Sequence, residues 1–183
     1  MDSESGRSED VTATTATVPA TATEAFDFDA LYREARDDVF AYTATLLRDN
    51  AAAEDVTAQA FERAYKKRSR FNARRGSPRA WLFGIARNAA LDELRQRKRA
   101  ATAELPGPLQ EPAPDEAAEL AAERDAVRAA LSKLSAKDRE VIALKYHADL
   151  SNAEIAEILG VSPTNAGTLL HRAMTKLREA IDA

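Results

Sequence analysis

Residues 151–177 read SNAEIAEILGVSPTNAGTLLHRAMTKL, and the first ten of them contain the start and stop signals of a short helix. Ser151 followed three residues later by Glu154 predicts a capping box, in which each residue satisfies a free N–H of the other. Gly160 is placed to end this helix, because glycine adopts the left-handed conformation that many helix ends require. The sequence therefore predicts a short, capped helix followed by a sharp turn.

A second helix is predicted directly after the turn. Ser162 is a favoured N-cap residue, and Pro163 fits the first helical position, where its missing N–H would have no partner anyway. Apolar residues recur in both helices at the spacing of a buried face. They are Ile155, Ile158, Leu159, Val161, Ala166, Leu169, Leu170, Ala173 and Leu177. This pattern predicts a helix-turn-helix whose second helix enters the major groove of DNA, although the same shape also occurs in proteins that never touch DNA.

The second helix carries small and polar side chains that suit base edges, and basic side chains that suit phosphates. For His171 an ordinary solvated surface residue is the alternative interpretation. The candidates for contact with duplex DNA are Ser162, Thr164, Asn165, Thr168, His171, Arg172 and Lys176.

The rest of the chain predicts an all-α fold made of two small helical domains and a connecting linker. Helices are expected at about 28–48, 51–68, 77–99, 116–132 and 136–147, because apolar residues there recur every three or four positions. Residues 1–25 contain almost no large apolar side chain and are expected to form a disordered acidic tail. Four prolines and one glycine between residues 100 and 115 favour a flexible linker. The predicted domains are thus 26–99 and 116–183.

Charge is unevenly distributed along this chain. The net charge is only -4, but residues 66–99 contain twelve Lys or Arg against Asp92 and Glu93, a net charge of +10. Such a run is often just a solvated face, but aromatic residues are interleaved with it here. The combination of stacking rings and phosphate-binding charge is what single-stranded DNA requires, although for Trp81 taken alone the sequence favours a role in core packing. The residues concerned are Arg70, Phe71, Asn72, Arg74, Arg75, Arg79 and Trp81.

Several function classes are excluded or disfavoured by composition. The chain has no cysteine and only two histidines, His147 and His171, which argues against metal sites built from these residues and against thiol chemistry. No apolar run is long enough to cross a membrane, and the N-terminus does not resemble a signal peptide, so a cytoplasmic location is expected. No nucleophile with a base or phosphate-binding glycine loop is evident, so neither catalytic activity, a small-molecule substrate nor a cofactor is expected.

Three stretches in this order resemble a known family. They are AAAEDVTAQAF at 51–61, SPRAWLFGIARNAALDELRQRKR at 77–99 and LSAKDREVIALKYHADLSNAEIAEILGVS at 134–162. Together they are similar to the two conserved modules of extracytoplasmic-function sigma factors, the smallest class of the sigma-70 family. The resemblance covers about residues 26–99 and 116–181, and its combination of motifs is far more specific than any one of them.

The resemblance implies that different parts of the chain bind different partners. Glu54, Asp55, Gln59 and Glu62 lie where similar proteins bind the clamp helices of core RNA polymerase. The basic loop and the helix after it match the part that opens minus-10 DNA and captures a flipped base. Besides the basic and aromatic residues named above, this part includes Arg87, Asn88 and Arg95. The second module matches the part that reads minus-35 DNA and docks on the polymerase flap. An anti-sigma partner is also expected from the family.

The sequence departs from the family pattern in two places. Ala58 stands where glutamine is common, which leaves the detail of the clamp contact open. The second helix of the predicted helix-turn-helix, which we call the reading helix, often has Lys-Ser-Arg in similar proteins where this chain has Gly167, Thr168 and Leu169. The usual phosphate and base contacts therefore do not transfer, and the promoter sequence is not predictable.

The hypothesis is a sigma factor that binds core polymerase, reads minus-35 duplex with its second module, and melts minus-10 DNA with its first. One alternative is a stand-alone helix-turn-helix regulator, which would leave the acidic helix and the aromatic loop unexplained. A second is an adaptor or anti-sigma-like protein that binds no DNA, against which the +10 stretch argues. Binding to core polymerase separates the first alternative from the hypothesis.

Overall fold

In the computed structural model, residues 26–101 and 118–182 are described, and all of their regular structure is helical. The predicted all-α class is therefore confirmed for these residues. The α-helices are α1 (Phe28–Leu47), α2 (Asn50–Lys67), α3 (Pro78–Ala101), α4 (Ala118–Lys133), α5 (Ala136–Tyr146), α6 (Asn152–Leu159) and α7 (Pro163–Ile181). Two single 3-10 turns, Arg68–Arg70 and Ala73–Arg75, form the loop between α2 and α3. We call α1–α3 the first module and α4–α7 the second module.

Short-range capping explains where the helices of the second module begin and end. Ser135 caps α5, and Ser151 forms the complete predicted capping box with Glu154. Gly160 ends α6 in the left-handed conformation at φ 69°. Ser162 accepts from the Asn165 N–H at the start of α7, with proline at the first helical position. The predicted helix-turn-helix is thus confirmed in its boundaries and in its caps.

The first module also follows the predicted pattern, with small shifts at helix ends. α1 begins after Asp27, whose carboxylate accepts from two backbone N–H groups, and ends one residue before the predicted position 48 because Arg48 adopts φ 55°. Asp49 caps α2, and the Ser77 hydroxyl accepts from the Ala80 N–H at the start of α3. The predicted tail at 1–25 and linker at 100–115 lie largely outside the described residues, and the proposed domain boundaries stay predictions.

The two modules pack against each other through a shared apolar core. α5 lies against α1, and α6 lies against α3. One cluster of buried side chains includes Val39 and Tyr42 from α1, Phe83 from α3, and Leu144 and Ile155 from α5 and α6. Burial of apolar surface is the main favourable term in folding, so this shared core holds the modules in one arrangement. A smaller cluster lies within the first module alone.

Candidate nucleic-acid interface

One face of α2 is acidic and open to solvent. Glu54, Asp55 and Gln59 are exposed, while Val56 and Ala60 on the opposite face are buried against α1 and α3. The fourth predicted residue, Glu62, is also exposed and accepts a hydrogen bond from Lys66 at 2.5 Å. This bond and the charge of Lys66 lower the pKa of Glu62, so its carboxylate remains ionised at neutral pH. We call these four residues the acidic face of α2.

The loop between α2 and α3 is built around an aromatic cluster. Phe71 is buried and makes edge-to-face contacts with Trp81 at 5.6 Å and with Phe26 at 4.9 Å, measured between ring centroids. The side chain of Asn72 accepts from the Arg74 N–H and caps the second 3-10 turn. Trp81 is half-buried and packs against the core. In this state the aromatic rings support the loop, with only part of Trp81 open to a ligand.

A cleft of about 470 Å³ opens beside these rings, between the two modules. The first module contributes aromatic, amide and guanidinium groups to its walls, and the second contributes two carboxylates and one apolar side chain. The lining includes Arg70, Phe71, Asn72, Arg75, Trp81, Asn88, Glu154, Glu157 and Ile158. Rings, amides and arginines together suit a nucleotide base and its phosphate.

The predicted basic residues fall into two groups. Arg70 and Arg74 are exposed and form no ion pair with any residue that the structure describes, and Arg95 pairs with Asp92 on its own helix. By contrast, Arg75, Arg79 and Arg87 are each bonded to groups of the second module. We call these three residues the arginine surface. The structure thus places the predicted residues along one loop and one helix, but it does not leave them equally accessible.

The start of α7 is exposed to solvent. Thr164, Asn165, Thr168, His171 and Arg172 all lie on the open side of the helix. The Thr168 hydroxyl donates to the Thr164 carbonyl of the preceding turn at 3.0 Å. A helix N-terminus with free N–H groups and small side chains is suited to contact with a phosphate or a base edge.

Lys176, further along α7, differs from the other predicted duplex contacts. Its ammonium group donates to Asp138 on α5 at 2.7 Å. This hydrogen bond is the main cause of the lowered pKa of Asp138. Lys176 therefore ties α7 to α5 in this state, in addition to any role on DNA.

The sequence reasoning missed Phe26 in the first module and several acidic residues at the contact between the modules. Phe26 completes the aromatic cluster, and Asp38, Glu140 and Glu157 bind the arginine surface. Glu154 was predicted only as a capping residue, yet its carboxylate also accepts from the Ser77 hydroxyl at 2.5 Å. No local pattern signals such pairs because their partners are 41 to 82 residues apart in sequence. Phe26 lies one residue before the Asp27 cap and outside the predicted helical pattern, which starts at residue 28.

Two other features were searched for in the described ranges. Residues 26–101 and 118–182 contain no group of three His, Cys, Asp or Glu side chains placed to hold a metal ion. Within the same ranges, every helix is too short or too polar to cross a membrane.

Comparisons with known proteins assign both modules. The family model for sigma-70 region 2 matches residues 31–100, and the model for sigma-70 region 4 matches residues 124–177. The ECF RNA polymerase sigma factor SigL of Mycobacterium tuberculosis is 35% identical over 162 residues, which cover 87% of this chain and 91% of SigL. The ECF sigma factor SigM of Bacillus subtilis is 29% identical over 152 residues, with 82% and 92% covered.

Solved structures share this fold. The sigma factor RpoE of Bartonella quintana, solved with the anti-sigma factor NepR, has a similar fold with a TM-score of 0.70 at 24% identity, covering 86% of this chain and 98% of RpoE. CnrH, solved with the cytosolic domain of CnrY, has a TM-score of 0.60 at 26% identity, covering 85% and 87%. Because both sigma-70 regions and a similarity to SigL over most of its length occur in this one chain, the chain belongs to the extracytoplasmic-function sigma factors of the sigma-70 family.

Proposed function

We propose that this chain binds core RNA polymerase and directs promoter-specific initiation of transcription, reading minus-35 duplex with α6 and α7 and opening minus-10 DNA with the loop and α3. The observation that carries the proposal is the presence of regions 2 and 4 on a chain with an exposed acidic face, an aromatic and basic cleft, and an exposed reading helix. Each surface suits a different ligand. The chain itself carries out no catalytic step, and the nucleotide chemistry belongs to the polymerase.

The acidic face of α2 is proposed as the main contact with polymerase. Its residues are exposed, and they lie on a helix whose other side is packed against α1 and α3. A rigid helix holds its charges at fixed spacing, which favours a specific contact with a basic partner surface. Charge complementarity also speeds association, so this contact suits an initial encounter.

The cleft beside Phe71 and Trp81, which we call the aromatic cleft, is proposed as the site that binds the opened minus-10 strand. Trp81, Arg70 and Asn88 border its open space, and stacking of one base on an aromatic side chain stabilises a bound strand by about 1–3 kcal/mol. Arginines around the cleft would hold the phosphates, which makes binding weaker as salt rises. The residues proposed for this strand are Arg70, Phe71, Asn72, Arg74, Arg75, Arg79, Trp81, Arg87, Asn88 and Arg95.

The exposed start of α7 is proposed to read minus-35 duplex. Positions 167 and 169 are Gly and Leu, so the first turns of this helix offer hydroxyl and amide groups, and the nearest cation is Arg172. We infer that its specificity comes from few direct base contacts, with Ser162, Thr164, Asn165, Thr168, His171, Arg172 and Lys176 as the candidates. The minus-35 and minus-10 sites are each weak, and binding at one site increases the affinity at the other only when the polymerase fixes their spacing.

We further propose regulation by an anti-sigma protein and a cytoplasmic site of action. RpoE and CnrH, which share this fold, were solved with NepR and with the cytosolic domain of CnrY. A partner that covers the acidic face or the cleft would block the proposed contacts with polymerase or DNA.

A charge reversal tests the polymerase contact. The double variant E54K/D55K should bind core polymerase at least about tenfold more weakly, because like charges at a contact cost several kcal/mol. The matched control E34K/D37K reverses two exposed acids on α1 and should bind as the wild type does. Binding is measured by fluorescence anisotropy, and promoter opening by permanganate reactivity of unpaired thymines. Normal binding and opening by E54K/D55K would contradict the assignment of this face.

A further inference from the structure

Phe26 directly precedes Asp27, the residue that caps α1. Its ring makes edge-to-face contacts with Phe71 of the loop at 4.9 Å and with Trp81 of α3 at 5.7 Å, measured between ring centroids. Phe71 and Trp81 also contact each other at 5.6 Å. Each ring of the aromatic cluster thus contacts the other two, and Phe26 is the member that belongs neither to the loop nor to α3.

The start of α1 fixes the position of Phe26. The Asp27 carboxylate accepts from two backbone N–H groups of the first turn, which sets the direction of the chain just before the helix. The ring of Phe26 also lies 6.3 Å from that of Phe28, and Phe28 contacts Tyr65 near the end of α2 at 5.3 Å. Phe26 is therefore connected to α1 and α2 independently of the loop.

The loop between α2 and α3 has few contacts that fix its position. Between residues 69 and 75, Phe71 is the one buried side chain, and the others are exposed to solvent. The backbone hydrogen bonds within the loop close single 3-10 turns and reach no other element. A long-range ion pair, between Arg75 and Glu157, is mostly exposed and stabilises the loop little. The position of the loop therefore depends mainly on the ring contacts of Phe71.

Phe26 lies behind the aromatic cleft and not in its wall. Phe71 and Trp81 line the cleft, whereas Phe26 does not. Arg70 and Asn72 of the same loop line it as well. A base in the cleft would therefore contact the rings that Phe26 supports and would not contact Phe26 itself. The match to sigma-70 region 2 begins at residue 31, so Phe26 also lies outside the part of the chain that the family model covers.

We infer that Phe26 is a positioning residue for the minus-10 strand. It holds Phe71 and Trp81 at a fixed spacing and angle, so that the rings and the loop residues beside them meet a flipped base in one arrangement. A strand binds more tightly to groups that are already in place, because less conformational freedom is lost on binding. The inference rests on the proposed function and adds to it a residue that supports DNA binding without contact with DNA.

Fluorescence tests the contact in the free, full-length chain. Trp81 is the one tryptophan of the sequence, so its emission reports on the aromatic cluster. F26L keeps an apolar side chain and removes the ring, and we expect the emission to shift to longer wavelength because water reaches the indole. The matched control is Y32L, which removes an exposed ring of α1 that contacts Phe61 of α2 at 4.8 Å. The emission of Y32L should equal that of the wild type.

Promoter opening tests the function, with each variant bound to core polymerase. In a promoter that the wild-type holoenzyme opens, an abasic site is placed at each minus-10 position in turn, and the position with the largest loss identifies the captured base. We expect F26L to open the unmodified promoter about tenfold less than the wild type does, because two edge-to-face contacts are lost.

The abasic site then separates positioning from a general structural role. It should lower opening by F26L less than about threefold, because capture of that base is already impaired and the two changes are not additive. Y32L should retain the full loss that the wild type shows. F26Y keeps the ring and should restore both opening and emission. Because Phe26 is only half-buried, the circular dichroism spectrum of F26L and its binding to core polymerase should equal those of the wild type.

Three outcomes would overturn the inference. One is an F26L variant that opens the promoter poorly but retains the full loss at the abasic site, and another is an F26L variant that opens the promoter as the wild type does. The third is a fall in core binding by F26L that accounts for its fall in opening. Failure of the proposed function is distinguishable from all three, because it shows in the wild type, as a chain that binds no core polymerase or opens no promoter.

Discussion

Tyr42 is fully buried in the core shared by the two modules, and its hydroxyl has no hydrogen-bond partner among the described residues. Its ring packs edge-to-face on Phe83 at 5.4 Å. Burial raises its pKa well above the usual value, the nearby carboxylate of Glu140 raises it further, and Arg87 opposes both. A buried hydroxyl that leaves water without gaining a partner reduces the free energy of unfolding by about 1–3 kcal/mol.

Substitution of this tyrosine by phenylalanine should therefore stabilise the protein. We expect Y42F to raise the free energy of unfolding by about 1 kcal/mol, because the ring contact remains and the unsatisfied hydroxyl is removed. Urea denaturation followed by circular dichroism measures the change. Y146F alters a tyrosine that is mostly exposed and should have no measurable effect. A loss of stability in Y42F would mean that the hydroxyl has a partner in solution.

Single residues were predictable from the sequence only where their partners are close along the chain. Ser151 and Glu154 cap each other across one helical turn, and the sequence alone predicts that bond. The hydrogen bond from Ser77 to Glu154 joins residues 77 positions apart. Burial raises the pKa of Glu154, but the hydrogen bonds from Ser77 and Ser151 outweigh it and the pKa is lowered. A pattern read along the chain carries no signal for such a contact, because tertiary packing decides it.

At the scale of helices, the turn between α6 and α7 fixes the direction of the reading helix. Gly160 adopts φ 69° there, and its N–H donates to carbonyls of the last turn of α6. Apart from atoms of the adjoining backbone, no atom lies within 4 Å of the position that a Cβ would take. Any penalty for a side chain at this position therefore comes from the backbone conformation and not from a clash.

A pair of substitutions tests this assignment. G160A should lower the free energy of unfolding by about 1 kcal/mol, because alanine is strained in the left-handed region. G160N should cost less, since asparagine tolerates this conformation better than other residues with a Cβ. Thermal unfolding of both variants gives the comparison. Equal stability of G160A and the wild type would show that the turn relaxes to another conformation.

Helices were predictable here because their signals are local. The helices α5, α6 and α7 begin directly after their cap residues Ser135, Ser151 and Ser162, so each signal lies next to its helix in the sequence. The side of a helix that packs on the other module was not predictable in the same way. α5 buries Glu140 along with its apolar residues, and a charged residue in a helical pattern ordinarily indicates the exposed side.

At the scale of the whole molecule, the module contact should respond to pH through His147. This residue lies at the end of α5, with its ring near Thr45 of α1 at 3.4 Å and its carbonyl bonded to Arg79 of α3. Burial lowers its pKa, and the charge of Asp38 on α1 opposes this to a smaller extent. The packed arrangement of the two modules thus favours the neutral ring, and separation of the modules would return the pKa of His147 toward its ordinary value of about 6.5.

The sign of the effect follows from that difference. The neutral ring of His147 contributes fully to the module contact at a pH above its ordinary pKa. This contribution is lost as pH falls from that value through the lower pKa that the ring has in the packed arrangement. With a donor and an acceptor dye on A51C/D182C, two exposed positions on the two modules, we expect energy transfer to fall as pH drops below about 6.5, the ordinary pKa of histidine. H147Q should abolish this dependence, whereas H171Q on the exposed side of α7 should keep it. An identical pH profile in H147Q and the wild type would contradict the prediction.

α5 is bonded on both sides, to Arg87 of α3 through Glu140 and to Lys176 of α7 through Asp138. The two carboxylates, Asp138 and Glu140, are two positions apart on a single short helix, so a movement of α7 that displaces Lys176 would also pull on the helix that carries Glu140. Contact with duplex DNA that attracts Lys176 toward a phosphate would weaken its hydrogen bond to Asp138. Binding of DNA at α7 would in that way weaken the contact of α5 with α3, so one helix of eleven residues would connect the two proposed DNA-binding surfaces.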